Sequence, residues 1–324
     1  MKVLLARVTH IGDLVLATPV LRALDAADCE VHVLAGAGNQ AVLQAHPHVH
    51  RLWVFDKRRP GGLPGLLWRL RRERFDAWID PTDDPSTTSQ LLARAGGARV
   101  RIGCNTGFRR PAFTHGIPAF WEDPGLHAVD RALRCLEPLG VSAAGRRPVL
   151  GRPGAVERRM AQRLHALGVT RYALVNLSAG HEDRLWPAQR WLAWFEAVAA
   201  CMDHWVLIHM PREAPTARAI LERFPQVVHM ATDGIQEAAA LVRGAAVVVS
   251  PDTSLVHVAS AFDVPTVALY ANRPLFHCRY LPLARRHQAV IAPREGDPVA
   301  AIPVAAVVSA WDAVHRDRCT RLGT

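Results

Sequence analysis

Short apolar runs alternate with amphipathic segments along the whole chain. Residues 3–6, 31–34, 52–55 and 77–79 are compact apolar runs. They predict buried strands, because a strand covered on both faces has no polar side to present. Residues 14–24 and 63–73 carry apolar positions at three- and four-residue spacing, which predicts helices. Pro19 falls inside or early in the first of these, as an irregularity. In the second, Leu63, Leu66, Leu67 and Leu70 form a stripe, with Arg69, Arg71, Arg72 and Arg74 outside it. That pattern reads as a crossover helix with a solvated basic face, and a helix lying on a membrane surface is the alternative.

The alternation restarts after residue 154. Helices are predicted over 155–167, 191–201, 214–223, 235–242 and 255–262, and strands over 172–177, 205–209, 227–229, 245–249 and 266–270. A final helix, 304–316, is a candidate to pack back on the first domain. Two successive βα series predict an α/β protein of two doubly wound domains facing each other across a cleft. The expected division is 1–150 and 151–324, with the Pro/Gly/Arg-rich stretch 140–154 as linker. A length of 324 residues suits two cores of ordinary size.

Composition narrows the class. Half the residues are hydrophobic and about a fifth are charged, which is globular composition. Six scattered cysteines with no CxxC pair read as reduced thiols of a cytoplasmic protein. Arg7, His10 and Asp13 interrupt the apolar N-terminus, so it does not read as a signal peptide, and no apolar run is long enough to span a membrane. The net charge of +10 is concentrated early, with 23 Lys+Arg against 15 Asp+Glu in residues 1–160. An anionic partner for that half fits the excess. A GC-rich genome would produce the same arginine bias, since only Lys2 and Lys57 are lysines. No zinc finger, RRM signature or aromatic-interleaved basic stripe supports a nucleic-acid partner.

Three polar clusters follow predicted strands, where open α/β sheets bind ligands. The first is Thr9-His10-Ile11-Gly12-Asp13. Gly12 permits a tight turn or a close backbone approach, and Asp13 is either a general base or a helix-capping acid. The second runs from Asn176 to Pro187. Its small-residue loop (Ser178, Gly180) leads to Arg184, whose fork suits a diphosphate. The third is Ser250-Pro251-Asp252-Thr253-Ser254 with His257 one turn on, where helix-capping residues open a helix that favours anions. Neither GxxxxGK[ST] nor GxGxxG occurs, which argues against P-loop and dinucleotide chemistry. The histidines at 46–50 and 277–287 read as solvated loop residues rather than metal ligands. Asp83-Asp84-Pro85 resembles a metal-binding acid pair but follows a strand in the basic half, and no metal site is expected.

Taken in order, these segments resemble glycosyltransferase family 9, the ADP-heptose:lipopolysaccharide heptosyltransferases. The resemblance rests on Lys2 to Arg7 running through Ile11-Gly12-Asp13 to Leu24, on residues 71–80, and on Arg184-Leu185-Trp186-Pro187. It continues in Asp252-Thr253-Ser254-Leu255-Val256-His257 and in 264–270, so it spans nearly the whole chain. It implies a GT-B fold with an N-terminal acceptor domain and a C-terminal nucleotide-sugar domain. It also implies inverting, metal-independent heptose transfer from ADP-heptose to an anionic inner-core glycolipid, with no cofactor.

Carried over, Asp13 is the base and Arg184 stands in place of the usual phosphate-binding lysine. Asp252 holds sugar hydroxyls, and Thr253 and Ser254 lie by the diphosphate. Ser178, Gly180 and His257 join the donor site, Glu213 meets the ribose and Asp233 flanks the base. The acceptor side comprises Thr9, His10 and Gly12, with Arg58, Arg59, Arg69, Arg109 and Arg110 for its anionic groups. Ser254 departs from the family's usual glycine. The implied location is cytoplasmic, at the inner face of the membrane. Alternatives are another nucleotide-activated sugar or acceptor (a glycan, a protein or a small molecule), a sugar-nucleotide epimerase, or a non-catalytic nucleotide-sugar binding protein.

Overall fold

A computed structural model describes residues 1–59, 61–84, 86–105 and 111–315. The chain separates into two compact units, Met1–Gly151 and a second from Arg152 onward. Each contains one six-stranded, all-parallel sheet.

In the first unit the strands are β1 (Lys2–Arg7), β2 (Glu30–Gly36), β3 (Arg51–Phe55), β4 (Ala77–Ile79), β5 (Val100–Gly103) and β6 (His115–Gly116). They lie in the order β3-β2-β1-β4-β5-β6. Helices α1 (Ile11–Ala26), α2 (Gly62–Arg72), α3 (Thr87–Gly96) and α4 (Ala128–Arg134) connect them. β1 is central, and Val3, Leu4 and Leu5 are fully buried, as the unbroken apolar run requires. Leu66 and Leu70 of α2 enter one core with Leu4, Leu34, Trp53 and Trp78, and Leu63 and Leu67 pack against it. The apolar stripe of α2 is therefore used inside the unit, and Arg69, Arg71 and Arg72 are solvated. At Gly96 a Cβ would lie 2.3 Å from the Trp78 ring, so only glycine lets α3 approach β4 this closely.

Pro19 sits in the interior of α1. It has no N–H to offer the Val15 carbonyl four residues back. The Thr18 hydroxyl donates to that carbonyl instead, at 2.7 Å, and accepts from the Val149 N–H at 2.8 Å. His46 also meets this terminal stretch, with Nε2 3.1 Å from the Val149 carbonyl. The expectation of solvated loop histidines fails here, since His46 is buried. Burial pushes its imidazole down to about 4. His48 instead pairs with Asp25 at 2.7 Å, and His50 accepts from the Val31 N–H.

A histidine kept neutral by the fold binds fewer protons than its unfolded counterpart once pH drops below about 6.5. Its stabilising contribution is therefore complete above that pH and is lost as pH falls toward 4. The loss should reach roughly 3 kcal/mol. Urea melts of the wild type and His46→Gln between pH 7 and 4 test this, and the variant should show a flatter pH dependence. Parallel pH profiles would refute the assignment.

The second unit repeats the plan with β7 (Tyr172–Asn176), β8 (His204–Ile208), β9 (Val227–His229), β10 (Val247–Pro251), β11 (Thr266–Tyr270) and β12 (His287–Ile291). Their order is β12-β11-β10-β7-β8-β9. Renumbered from β7, this is the same 3-2-1-4-5-6 order of the Rossmann-type doubly wound sheet. Its helices are α5 (Gly154–Ala166), α6 (Ala188–Val198), α7 (Ala214–Arg223), α8 (Ile235–Gly244), α9 (Ser254–Phe262), α10 (Pro274–His277) and α11 (Val304–His315). β10 runs two residues beyond the apolar segment that predicts it, taking in Ser250 and Pro251. α11 packs on α6, β11 and β12, with Trp311 fully buried in the core of its own unit. Among the described residues no helix is long and apolar enough to cross a membrane. Cys29, Cys104, Cys135, Cys201 and Cys278 are free thiols, and Cys319 lies outside the described residues.

Candidate active site

Strand order reverses between β1 and β4 in the first unit, and between β7 and β10 in the second. The crevices outside the carboxyl ends of such strand pairs are where this class of sheet binds ligands. The polar clusters that end the apolar strands fall at these two positions.

In the first unit, Arg7 ends β1 and Asp13 lies in the first turn of α1. Their side chains form an ion pair at 2.5 Å, and both are largely buried. Arg7 also donates to the Thr82 hydroxyl, and Thr82 bonds Asp80 at the end of β4. Burial pushes the Asp80 carboxyl up, and the bond from Thr82 opposes that. The chain turns between β1 and α1 through His10, whose φ is 49°. A left-handed non-glycine residue costs about 1–3 kcal/mol and persists only where the surroundings enforce it. Here the buried Asn39 amide enforces it, donating to the carbonyls of Arg7, Thr9 and His10 at 3.0–3.3 Å. Asn39 is fixed in turn by the Gly36 N–H, at 2.8 Å.

The result brings His10 Nδ1 to 3.2 Å from the Asp13 carboxylate. The hydrogen bond to Asp13 holds the His10 imidazole above its ordinary range. Of the two roles expected of Gly12, a tight turn or a close backbone approach, the turn falls to His10, which has the positive φ, while Gly12 lies inside α1. Arg58 and Arg59 are exposed on the turn that follows β3, with Arg59 3.7 Å from Asp56. The Arg69 guanidinium lies 6.0 Å from the Trp53 ring. Arg109 and Arg110 lie outside the described residues. The Asp83 carboxylate is held 3.2 Å from the buried Arg131. Among the described residues no group of three or more His, Cys, Asp or Glu side chains is placed to hold a metal ion.

In the second unit, Asn176 at the end of β7 joins the two loops of the crevice. Its amide donates to the Ser178 carbonyl and to Ser250 Oγ, at 2.9 and 3.0 Å, and accepts from the Ser178 N–H. Ser178 Oγ donates to Glu213 at 2.6 Å and accepts from the Met210 N–H, so the loop after β8 is tied in as well. Thr253 is the N-cap of α9, its hydroxyl accepting from the Leu255 N–H, and Ser254 is the first helical residue.

Arg184 reaches Asp252 across the crevice, 3.1 Å from its carboxylate and 3.4 Å from its carbonyl. A cavity of about 130 Å³ opens there, lined by Asp183, Arg184, Asp252, Arg273, Phe276 and His277. Burial raises the Tyr270 hydroxyl pKa well above the phenol range, and the Asp252 charge adds to the shift. Arg184 in this cavity, with the N-cap of α9 next in sequence to Asp252, makes a candidate site for an anion.

The structure brings Ser178 and Glu213 together in one network, and Arg184 and Asp252 together in one cavity. Gly180 is exposed on the same loop as Ser178. Asp233 lies on the turn before α8, where its N–H bonds Glu237 at 2.8 Å. His257 is buried on α9 with its ring 6.0 Å from that of Tyr280. Sequence reasoning did not single out Thr82, Asn39 or Arg273 as candidate site residues, and it named Arg7 and Asn176 only as ends of their segments, without a role. For Arg7 a signal was present, since an arginine closing a fully apolar strand must find a polar partner.

The chain matches the family model for glycosyltransferase family 9 (heptosyltransferase) over residues 65–300. Lipopolysaccharide heptosyltransferase 3 of Escherichia coli is 25% identical over 278 residues, covering 80% of each chain. Among solved structures, the E. coli ADP-heptose lps heptosyltransferase II superposes with a TM-score of 0.77 at 19% identity, covering 98% of this chain and 99% of that one. An E. coli heptosyltransferase with ADP-2-deoxy-2-fluoro heptose gives 0.74 at 21% identity, covering 95% and 98%. The fold is thus GT-B, with two Rossmann-like domains. With the family model spanning most of both units, the chain belongs to glycosyltransferase family 9 and is a glycosyltransferase.

Proposed function

We propose that this enzyme transfers heptose from ADP-heptose to an anionic inner-core acceptor of lipopolysaccharide, with inversion and without a metal. The Arg184–Asp252 cavity carries the reading, because it offers a guanidinium to a diphosphate and a carboxylate to sugar hydroxyls, with the N-cap of α9 one residue beyond Asp252. The relatives named above act on lipopolysaccharide or bind an ADP-heptose analogue, which supports the same donor and acceptor class. The second unit is then the donor domain, with Glu213 toward the ribose and Asp233 toward the base. The first is the acceptor domain, where Thr9, His10 and Gly12 surround the hydroxyl and Arg58, Arg59 and Arg69 meet its anionic groups. An acceptor of this kind places the enzyme in the cytoplasm, at the inner face of the membrane.

In the proposed step Asp13 takes the proton of the acceptor hydroxyl. The oxygen attacks the anomeric carbon from the face opposite the diphosphate, and the C–O bond to the β-phosphate breaks. Its electron pair leaves on ADP, where Arg184 and the α9 N-terminus stabilise the growing negative charge. The Arg7 ion pair fixes the orientation of Asp13 for this role.

Thermal shift with ADP, UDP, GDP, CMP, ADP-heptose and UDP-glucose tests the donor. A ligand that binds only the native state raises the melting temperature by mass action. Selective stabilisation by ADP and ADP-heptose is expected. Preference for UDP or GDP would replace the donor, and no response to any of them would sink the reading.

A further inference from the structure

Two arginine–aspartate pairs line one cavity in the second unit. Arg184 is paired with Asp252 at 3.1 Å, and Arg273 with Asp183 at 2.9 Å. Each arginine is thus paired with its own carboxylate. A dianionic or trianionic group entering there must draw at least one guanidinium from its partner. The two arginines are not held alike. Arg184 meets both the carboxylate and the backbone carbonyl of Asp252, and its side chain is 34% exposed. Arg273 is held by the Asp183 carboxylate and is 54% exposed.

The Arg273 backbone, by contrast, is held on both sides: its carbonyl accepts from the Phe276 and His277 N–H groups at 2.8 and 2.9 Å, and the preceding residue, Asn272, is itself braced. The Asn272 N–H donates to the Asp297 carbonyl, its amide donates to the Ala292 carbonyl, and the Gly296 N–H donates to the Asn272 carbonyl at 2.7 Å. A rotation of the Arg273 side chain alone therefore exchanges its partner, without loop rearrangement.

We propose that Arg273 is a donor-specificity residue: it leaves Asp183 for the terminal phosphate of a nucleoside diphosphate, completing a two-arginine clamp with Arg184. This rests on the nucleotide-sugar reading above and adds a residue on the loop after β11, which the sequence patterns did not single out. The clamp distinguishes diphosphates from monophosphates, because a single phosphate held at Arg184 leaves Arg273 nothing to gain by abandoning Asp183. Asp183 acts as an anion that competes with the phosphate for Arg273. Its position next to Arg184 in sequence places the exchanged pair at the edge of the same site.

Calorimetric titration with ADP, AMP, UDP and UMP tests the clamp. Arg273→Gln should weaken diphosphate binding by about 10- to 100-fold, the range for one charge-assisted contact. Its monophosphate affinity should stay within about two-fold of wild type. Asp183→Asn, which frees Arg273, should tighten diphosphate binding, and that gain should vanish in the Arg273→Gln background. Arg273→Lys should recover part of the loss.

Equal losses for mono- and diphosphates in Arg273→Gln, or wild-type diphosphate affinity in that variant, would overturn the clamp while leaving the donor site in place. Asp183→Asn gains of equal size with and without Arg273 would also overturn it, since they would reflect charge alone. A wild-type enzyme that binds none of the four nucleotides would remove the nucleotide-sugar reading and the clamp with it.

Discussion

Asp13→Asn lowers the rate of sugar transfer by about 10²- to 10⁴-fold, the usual contribution of a positioned general base. Donor affinity in the same variant stays within about two-fold of wild type, because no donor contact is assigned to the first unit. Asparagine is the informative replacement. It keeps the size of the side chain and an oxygen that can accept from Arg7, yet cannot take up the acceptor's proton. The rival account of Asp13 is a helix-capping acid, since it sits in the first turn of α1 and His10, at the N-cap, makes no side-chain cap bond. That account gives a loss of about 0.3–1 kcal/mol of stability with turnover intact. Steady-state kinetics and a urea melt on one preparation separate the two. Unchanged turnover with a shifted melt would leave Asp13 a structural residue, a cap and the partner of Arg7.

Trp194→Ala destabilises the second unit by about 3–5 kcal/mol. Its indole is fully buried, with Phe195, Trp205, Trp191 and Trp311 at centroid distances of 5.1, 5.4, 5.8 and 5.9 Å. All four contacts are edge-to-face, with interplanar angles from 70° to 84°, the arrangement in which aromatic quadrupoles attract. Truncation opens a void that four rigid rings cannot collapse to fill. Trp194→Phe keeps a ring there and removes a buried indole N–H that has no hydrogen-bond acceptor. Its cost should be smaller, about 1–2 kcal/mol. Equilibrium unfolding followed by circular dichroism measures both. A Trp194→Ala loss below that of Trp194→Phe would mean this cluster does not hold the unit together.

The strands most legible in the sequence are those buried on both faces. β1, β7 and β10 are fully buried or nearly so, and α7 and β9 occupy the ranges their patterns predict. The elements that escaped notice break that rule. α3 buries Ser89 and Gln90 and exposes Leu91, so its polarity runs against its position. β12 is an edge strand with only Val290 buried, and its short apolar run, Ala289–Ile291, is largely uncovered. β5 and β6 are short and partly exposed.

The site divides the same way. Asp13, Arg184 and Asp252 stand out because each lies in a polar cluster that follows an apolar strand, where open α/β sheets bind ligands. Asn39 and Asn176 are quieter, since their work is to hold carbonyls and neighbouring loops by amide hydrogen bonds that leave no trace in spacing. The Arg273–Asp183 pair joins residues 90 positions apart through the loops after two different strands, β11 and β7. Only the sheet order makes them neighbours.

The Pro19 break in α1 also constrains how this sequence can drift. Val15 keeps its carbonyl satisfied because Thr18 supplies a hydroxyl where Pro19 supplies nothing, and the same hydroxyl receives Val149. Thr18 is therefore tied to its neighbour: replaced by valine while Pro19 remains, it strands a buried carbonyl and an amide together. Were Pro19 first exchanged for alanine, the helix would serve Val15 by itself, and Thr18 would answer only to Val149. The two sites are epistatic, and the order of substitution decides whether a lineage passes through a damaged intermediate.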